Sequence, residues 1–330
     1  MAAVPMIELW RGGLREGWHN GHAVICGPDG EVIEAWGDPQ AIIFPRSSCK
    51  MIQALPLIES GAAAAAGLTD AQLALACASH QGAEIHTVAV DSWLRGLGLA
   101  EADLRCGSHV PYDEAARDAL YRHHAKPCQL HNNCSGKHAG FLTLGRHLAA
   151  GAEYVELDHP VQRAVLAATE EVSGETSAGY GIDGCSAPNF AMSLAGLGRA
   201  MGFFAAARDQ GGVRERAAHR LVQAMKTFPE MVAGEGRACT NLMRAMGGHV
   251  AVKTGAEAVF VAILPEKRLG IALKIIDGGT RASEAAIAAL LVRCGVLDAG
   301  HPVVERYLTQ PLKNCRGLAT GELRLASGFC

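Results

Sequence analysis

The chain has 330 residues, which is enough to bury a large core as one large domain or two ordinary ones. Hydrophobic residues make up 49% of it and charged residues 19%, and this balance is typical of an ordinary globular enzyme. The formal net charge is -3 and the basic residues are scattered, so no nucleic-acid-binding surface is indicated, and no apolar run is long enough to span a bilayer.

The N-terminal residues and the cysteines bear on the cellular compartment. Residues 1–14 become polar within a few positions and lack the apolar stretch of a signal peptide. The 11 cysteines are irregularly spaced and include no Cys-x-x-Cys pair. We therefore expect a cytoplasmic protein whose thiols are reduced and mostly buried as small apolar side chains.

The first part of the chain predicts strands followed by a helix. Residues 6–10 form a short strand, and the apolar runs 23–26 and 32–36 form a hairpin because a Pro-Asp-Gly turn separates them. Pro45 precedes a helix that carries apolar residues at helical spacing and stops at Gly61.

The rest of the chain changes from helices to strands. Residues 69–232 predict mostly short helices with glycine and proline between them. Three strands are then predicted over residues 249–254, 258–264 and 269–276, and an amphipathic helix over 281–294.

This order of elements predicts an α+β fold. One antiparallel sheet would be built from both ends of the chain, about residues 1–60 and 245–300, with helices flanking it. A helical subdomain of about residues 69–232 would be inserted between them. We treat residues 1–330 as a single catalytic domain.

A Ser-x-x-Lys motif directly follows Pro45 and Arg46. Ser47 and Lys50 lie three residues apart at the start of the predicted helix, so the lysine amine can reach the serine hydroxyl. A serine needs a neighbouring base to become a nucleophile, and a lysine with a lowered pKa can serve. Taken alone, the motif also suits a helix-capping serine with a solvated lysine.

A Lys-Thr-Gly motif, Lys253 to Gly255, ends a predicted strand. Alone it also suits a strand end with a surface lysine and a turn glycine. Its position is informative, because it begins the three strands that precede the last predicted helix. Serine β-lactamases and penicillin-binding proteins carry the same two motifs in the same order. The pair therefore indicates a catalytic site of that type more strongly than either motif alone.

Residues 76–82 lie between the two motifs and read Ala-Cys-Ala-Ser-His-Gln-Gly. Their small side chains allow a ligand to approach the backbone closely. Ser79 occupies the place of the middle catalytic serine of that fold, although Ser-His replaces the usual Ser-Asp-Asn. The alternatives are a hydroxyl at a helix end for Ser79 and a surface imidazole for His80.

Two further segments, residues 131–138 and 181–186, each contain a cysteine. Cys134 and Cys185 can offer two thiolates to a soft or borderline metal, but tetrahedral zinc needs more ligands. Lys137 follows Cys134 by three residues and is a candidate, as is the next residue, a histidine. Buried structural thiols are the alternative.

Together these segments resemble one family, the rhizobial-type L-asparaginases, the third structural class of asparaginase, also called the asparaginase II family. The similarity runs from about residue 7 to residue 297 with the motifs in order, and Asn-Cys-Ser-Gly-Lys-His-Ala-Gly is the most specific stretch. The resemblance implies a serine β-lactamase-like fold, a homodimer, and hydrolysis of the side-chain amide of L-asparagine to aspartate and ammonia.

The resemblance also implies roles for individual residues. Ser47 would attack the amide carbon and Lys50 would take its proton, while Ser79 and Lys253 would relay protons to the leaving ammonia. The substrate-binding residues would be Arg46, His80, Asp183 and Gly255.

The implied metal is Zn2+, held by Cys134, Lys137 and Cys185 and completed by water. Zinc would be structural or would position the substrate, since Ser47 already supplies the nucleophile. The expected partner is the small-molecule substrate L-asparagine, and neither nucleic acid nor a membrane is expected.

Two other functions compete with this interpretation. A glutaminase, peptidase or β-lactamase on the same fold is the nearest, and glutamine differs from asparagine by one methylene, worth about 1–3 kcal/mol in a pocket. A non-catalytic zinc-binding interaction protein is the other, and the presence of all four serine and lysine residues speaks against it. Ammonia release from asparagine and glutamine, side by side, distinguishes these functions.

Overall fold

The structure, a computed structural model, describes residues 2–309 and 311–330. Its strands are β1 (Val4–Arg11), β2 (Leu14–Cys26), β3 (Val32–Trp36), β4 (Ile42–Ile43), β5 (Gly179–Ile182), β6 (Pro188–Ser193), β7 (Ala251–Gly255), β8 (Val259–Leu264), β9 (Leu269–Ile275), β10 (Leu312–Lys313) and β11 (Ala319–Leu325). Its α-helices are α1 (Lys50–Gln53), α2 (Leu55–Glu59), α3 (Ala62–Ala65), α4 (Asp70–Ala76), α5 (Glu84–Gly96), α6 (Glu114–Arg122), α7 (Ser135–His147), α8 (Pro160–Ser173), α9 (Leu194–Ala206), α10 (Val213–Thr227), α11 (Pro229–Val232), α12 (Ala238–Ala245), α13 (Thr280–Arg293) and α14 (Pro302–Val304).

The chain divides into two compact units. The first comprises the described residues of 1–48, 193–206 and 241–330, and the second comprises residues 49–192 and 207–240. The first unit holds most of the strands and the second holds most of the helices. The interpretation of the whole chain as one catalytic domain stays a prediction.

The first unit is built on an antiparallel sheet with the strand order β10-β11-β1-β2-β9-β8-β7, and β3 also pairs with β2. Every residue of β8 is buried, as expected for an apolar strand with neighbours on both sides. The predicted β2–β3 hairpin and the antiparallel β7, β8 and β9 are confirmed. The C-terminal strand β11, which the sequence left uninterpreted, pairs with β1 at the opposite end of the chain.

Helix α9 packs closely on this sheet because glycines face it. A Cβ at Gly198 would lie 2.7 Å from Cys26 Sγ and from Val24 Cγ2. Helix α13 packs on β8 and β9 of the same sheet. The predicted α+β class, an antiparallel sheet flanked by helices, is therefore confirmed.

The second unit is helical apart from one hairpin. Strands β5 and β6 pair with Gly179 opposite Ala191 and Ile182 opposite Pro188. The sequence analysis did not predict this hairpin, since β5 is only four residues long and glycine-rich. The loop between the two strands holds Asp183 and Cys185.

The helix predicted to follow Pro45 is broken into three short pieces. A 3-10 turn covers Arg46–Cys49, and α1 and α2 follow. Helix α2 starts anew because Pro56 has no N–H to continue the helical hydrogen bonding of α1. No helix within the described ranges has both the length and the apolar character needed to cross a bilayer.

Helix α7 packs against α4 through Gly136, and this contact predicts a large effect of one methyl group. A Cβ at Gly136 would clash with the Leu75 carbonyl oxygen and lie 2.6 Å from Leu75 Cγ, whereas at Gly145 of the same helix the nearest atom is 3.6 Å away. We expect Gly136→Ala to lower the free energy of unfolding by about 1–3 kcal/mol through overpacking. Gly145→Ala should be neutral or slightly stabilising, because alanine favours helix by up to ~1 kcal/mol. Thermal unfolding of both variants checks this, and equal effects would contradict the packing account.

Candidate active site

The turn after Pro45 distinguishes two adjacent serines. Ser48 is fully buried, and its hydroxyl donates to the Pro45 carbonyl oxygen at 2.7 Å, so it holds the turn together. Ser47 is only half-buried. Arg46 opens the turn with a φ of 52°, a left-handed conformation that costs a non-glycine residue roughly 1–2 kcal/mol. Such strained residues cluster at functional sites.

The Lys-Thr-Gly motif lies against this turn within the first unit. A Cβ at Gly255 would come within 2.7 Å of the Pro45 oxygen and 3.0 Å of the Ser48 nitrogen, so only glycine allows the two backbones to approach this closely. Lys253 is fully buried, and its Nζ donates to the Thr254 carbonyl oxygen at 2.6 Å. The structure thus brings the end of β7 beside the segment that carries Ser47.

In the second unit, acceptors surround the amine of Lys50. Its Nζ donates to Ser79 Oγ at 3.0 Å, to Cys134 Sγ at 3.1 Å and to the Ala78 carbonyl oxygen. The residue is 1% exposed, so these contacts fix the position of the amine. The hydrogen bond to Ser79 Oγ joins the Ser-x-x-Lys motif to the serine of residues 76–82. The spacing of these residues in the sequence did not predict this contact.

His80 is fully buried and held by its neighbours. The Gly82 N–H donates to Nδ1 at 3.1 Å, so Nε2 of the neutral ring carries the proton and donates to Ser135 Oγ at 2.9 Å. The ring stacks on His86 with centroids 4.7 Å apart. Burial, together with His86 and Lys50, holds the pKa of His80 well below its usual range. Substrate contact by His80 stays a prediction, since both of its ring nitrogens have partners in the protein.

The buried imidazole of His80 predicts a loss of stability in acid. An unfolded histidine titrates near 6.5, whereas the folded pKa of His80 is lower, so below about pH 6.5 the unfolded state binds a proton that the folded state does not. The contribution of His80 to the free energy of unfolding is complete above about pH 6.5. Below that pH it falls by about 1 kcal/mol for each pH unit. Melting temperatures between pH 7.5 and 5.0 should fall less steeply in His80→Gln. The exposed His123→Gln should keep the wild-type slope, and equal slopes in all three proteins would contradict the assignment.

Two cysteines and a lysine meet in the second unit. Cys134 is the residue before α7, and Lys137 lies one turn into that helix. Lys137 Nζ lies 3.0 Å from the Sγ of Cys185, and Cys134 and Cys185 share a hydrogen bond. All three side chains are 4% exposed or less. Asp183, half-buried in the same loop as Cys185, accepts a hydrogen bond from the Gly184 N–H at 2.7 Å.

The pKa values of the three side chains in this cluster are shifted in different directions. The hydrogen bond from Cys134 and the neighbouring Lys137 hold the pKa of Cys185 well below its usual range. The same hydrogen bond and burial raise the pKa of Cys134 to about 12. Burial alone would lower the pKa of Lys137, but Cys185 and Cys134 raise it above its ordinary value. Of the two thiols, that of Cys185 is therefore the more readily ionised, and it lies beside the amine of Lys137.

The spacing of one donor pair in this cluster suits zinc, although Lys137 would have to lose its proton to bind it. In a tetrahedral site with bonds of about 2.0 Å to nitrogen and 2.3 Å to sulfur, the two donors lie roughly 3.5 Å apart, close to the 3.0 Å between Lys137 Nζ and Cys185 Sγ. Over residues 2–309 and 311–330, no three or more His, Cys, Asp or Glu side chains group to hold a metal, so a zinc site at this cluster would require Lys137 as its third protein ligand. Zinc binding by Cys134, Lys137 and Cys185 stays a prediction.

A cavity of about 320 Å3 lies beside Arg46. Its lining includes Glu257 and Lys274, both in the first unit. Neither was predicted as a site residue from the sequence, although Glu257 follows the Lys-Thr-Gly motif by two residues.

One protein family and several solved structures are similar to this chain. The family described as L-asparaginase II matches residues 7–325. No curated protein matches the chain. Similar solved structures include Mglu in its native form, with 13% identity, a TM-score of 0.45, and coverage of 85% of this chain and 66% of Mglu. Mglu in its tris and glutamate form has 12% identity and a TM-score of 0.49, over 90% of this chain and 64% of the other.

A β-lactamase from Mycobacterium bovis is also similar, with 13% identity and a TM-score of 0.45 over 83% of this chain and 94% of the other. The chain thus spans about two thirds of the length of Mglu and nearly all of the length of this β-lactamase.

Proposed function

We propose that this chain, which belongs to the L-asparaginase II family and is a hydrolase acting on amides, hydrolyses the side-chain amide of L-asparagine to aspartate and ammonia. The family match spans residues 7–325, and all of the predicted site residues lie within that range. The structural observation that supports the proposal is the hydrogen bond of 3.0 Å from the buried Lys50 amine to the Ser79 hydroxyl, which joins the lysine of the first predicted Ser-Lys pair to the serine of the second. A buried amine next to a hydroxyl is the arrangement that serine and lysine proton transfer requires.

The proposed reaction is an acyl transfer in two halves. Ser47 Oγ attacks the amide carbon of asparagine, and the neutral form of Lys50 takes the proton of the hydroxyl. Ser79 and Lys253 relay a proton to the nitrogen, and the C–N bond breaks to release ammonia and leave a β-aspartyl ester on Ser47. Water then hydrolyses the ester to give aspartate. Backbone N–H groups, including that of Ser47, stabilise the oxyanion.

The remaining predicted residues bind the substrate and the metal. Asparagine would contact Arg46, His80, Asp183 and Gly255. When bound by Cys134, Lys137 and Cys185, zinc would supply a fixed positive charge that positions the substrate. The half-buried Asp183 lies two residues before a proposed ligand, and it would bind the substrate amine or support the metal ligands.

An ammonia-release assay tests the proposed function. Asparagine and glutamine are supplied at equal concentrations to the purified protein, and ammonia and the product acid are both measured. We expect stoichiometric aspartate and ammonia from asparagine, and slower or no release from glutamine. Faster turnover of glutamine would make the protein a glutaminase, and no release from either would favour a non-catalytic zinc-binding protein.

We further propose a homodimer that acts in the cytoplasm. The resemblance to the rhizobial-type asparaginases supports the dimer, and the 11 cysteines, all present as free thiols, support a reducing compartment. Light scattering of the purified protein should give twice the mass of one chain, 34.6 kDa. A mass of one chain at all concentrations would contradict the dimer.

A further inference from the structure

The outer face of the sheet in the first unit carries two tryptophans. Side chains alternate along a strand, so Ile7 and Leu323 lie on the buried side of β1 and β11, where they are 0% and 9% exposed. Trp10 of β1 and Trp18 of β2 lie on the opposite side, and Trp18 is 53% exposed. A sheet face that meets water is ordinarily polar. Two tryptophans on such a face therefore indicate a surface that contacts a partner.

The strand register fixes which side chains share this face, because residues directly opposite each other point to the same side of a sheet. A register shift in the β1–β2 pair, between Leu9 and Trp10, brings Arg15 opposite Trp10. Two rows of three side chains result, each running across β11, β1 and β2. We call these six residues the tryptophan face: the first row is Arg324, Glu8 and Trp18, and the second is Glu322, Trp10 and Arg15.

Contacts within the tryptophan face hold its side chains in place. The guanidinium carbon of Arg15 lies 4.9 Å from the centroid of the Trp18 ring, and that of Arg324 lies 4.4 Å from the Trp10 ring. Cations within about 6 Å of a ring are attracted to it. Glu8 joins the two pairs, since it accepts hydrogen bonds from Trp10 Nε1 at 2.7 Å and from Arg15 at 3.0 Å. The face is thus ordered before a partner binds, which lowers the entropic cost of association.

The tryptophan face is accessible in a single chain. The side chains of Arg15 and Arg324 are each 49% exposed and that of Glu322 is 46% exposed, so a partner can reach the edges of both rings. Tryptophan and arginine are among the residues that carry most of the binding energy at protein interfaces. The composition of this face is therefore that of the centre of a protein–protein contact.

The charges of the tryptophan face are complementary to themselves. Its two arginines balance its two glutamates, so the face has no excess of positive charge to attract nucleic acid. A two-fold axis that runs across the strands, between the two rows, exchanges the rows of one copy with those of another. Arg324 of one copy then meets Glu322 of the other, and Arg15 meets Trp18. The surface therefore matches a second copy of itself.

We propose that the tryptophan face is the centre of the contact between two copies of this chain. The inference rests on the proposed homodimer and specifies the surface that forms it. A stable interface buries about 800 Å2 on each partner, so the six side chains supply its centre and the surrounding surface of the first unit supplies its rim.

Removal of one exposed tryptophan tests the surface. Light scattering over a dilution series gives the dissociation constant of the dimer for the wild-type protein and for Trp18→Ser. We expect the constant of Trp18→Ser to rise by about 30-fold or more, the usual effect of truncating a residue that dominates an interface. Ile33→Ser changes an isoleucine that is 51% exposed on β3, outside the tryptophan face, and should keep the wild-type constant. Circular dichroism checks that both variants are folded.

Two variants of opposite charge test the self-complementarity. Arg324→Glu makes the tryptophan face acidic and Glu322→Arg makes it basic, so each protein alone should be a monomer because like charges meet across the contact. An equimolar mixture should form a heterodimer, since the acidic face then meets the basic one. Native mass spectrometry distinguishes the heterodimer from either homodimer. The pair that these variants break is exposed, so its loss should leave the fold intact.

The outcomes separate this inference from the proposals on which it rests. A dimeric wild-type protein with an unchanged dissociation constant in Trp18→Ser overturns the inference and leaves the homodimer standing. A mixture of the two charge variants that stays monomeric overturns it as well. A monomeric wild-type protein overturns both the homodimer and the inference. Ammonia release from asparagine by the same preparations tests the catalytic function separately, because no residue of the tryptophan face belongs to the proposed active site.

Discussion

Replacement of Ser47 by alanine is expected to reduce kcat for asparagine by a factor on the order of 10⁴ or more, as is found when the nucleophile of a serine hydrolase is removed. The Ser47 side chain is half-buried, whereas the hydroxyl of the fully buried Ser48 donates to the Pro45 carbonyl oxygen and holds the turn. The fold should therefore persist, with an unchanged melting temperature. Steady-state kinetics and thermal unfolding of the same preparation measure both effects.

Ser48→Ala is the matched control for this prediction. It removes a hydroxyl hydrogen bond of 2.7 Å in a fully buried position, so we expect a loss of about 1 kcal/mol in the free energy of unfolding. Its activity should exceed that of Ser47→Ala by orders of magnitude. Mass spectrometry of the trapped acyl-enzyme should place the aspartyl group on Ser47, and an adduct on Ser48 would refute the assignment.

Loss of zinc on replacement of Cys134 is the second large expected effect. The protein purified without chelator should contain zinc, and Cys134→Ala should contain almost none, because only Lys137 and Cys185 of the proposed ligands remain. If zinc positions the substrate, KM should rise by a factor of about 10–100 or more, while saturating asparagine should still acylate Ser47. Elemental analysis provides a measurement that is independent of activity.

The structure adds a second consequence of this variant. Cys134 Sγ also accepts a hydrogen bond from Lys50 at 3.1 Å, so its removal loosens the amine that contacts Ser79. A moderate loss of kcat is therefore expected beside the rise in KM. Cys294→Ala, in the first unit, should keep both the zinc and the kinetics. Absence of zinc from the wild-type protein, or full zinc content in Cys134→Ala, would refute the site.

Local sequence patterns determined the secondary structure where each element carries its own signal. Strands β8 and β9 are apolar runs separated by a Pro-Glu-Lys-Arg turn, and α13 has an apolar stripe at helical spacing, so each could be predicted from about ten residues. The break between α1 and α2 was missed, because apolar spacing continues across Pro56 and outweighed the proline. Strand β11 was missed because its partner β1 lies at the other end of the chain.

The sequence by itself determined the family and the residue types of the site. Short motifs such as Ser-x-x-Lys and Asn-Cys-Ser-Gly-Lys-His are contiguous, so their chemistry can be recognised without any coordinates. Spacing also indicated that Cys134 and Lys137 lie one helical turn apart, which the structure bears out in the start of α7.

Only the tertiary structure decided which of these groups touch. The amine of Lys50 contacts a hydroxyl 29 residues away and a thiol 84 residues away, and Lys137 contacts a thiol 48 residues away. The cavity lined by Arg46, Glu257 and Lys274 likewise joins segments that are distant in sequence. Such contacts depend on how helices and strands pack against one another. A local sequence pattern predicts on which face of a helix or strand a side chain lies, but it does not predict which distant residue packs against that face.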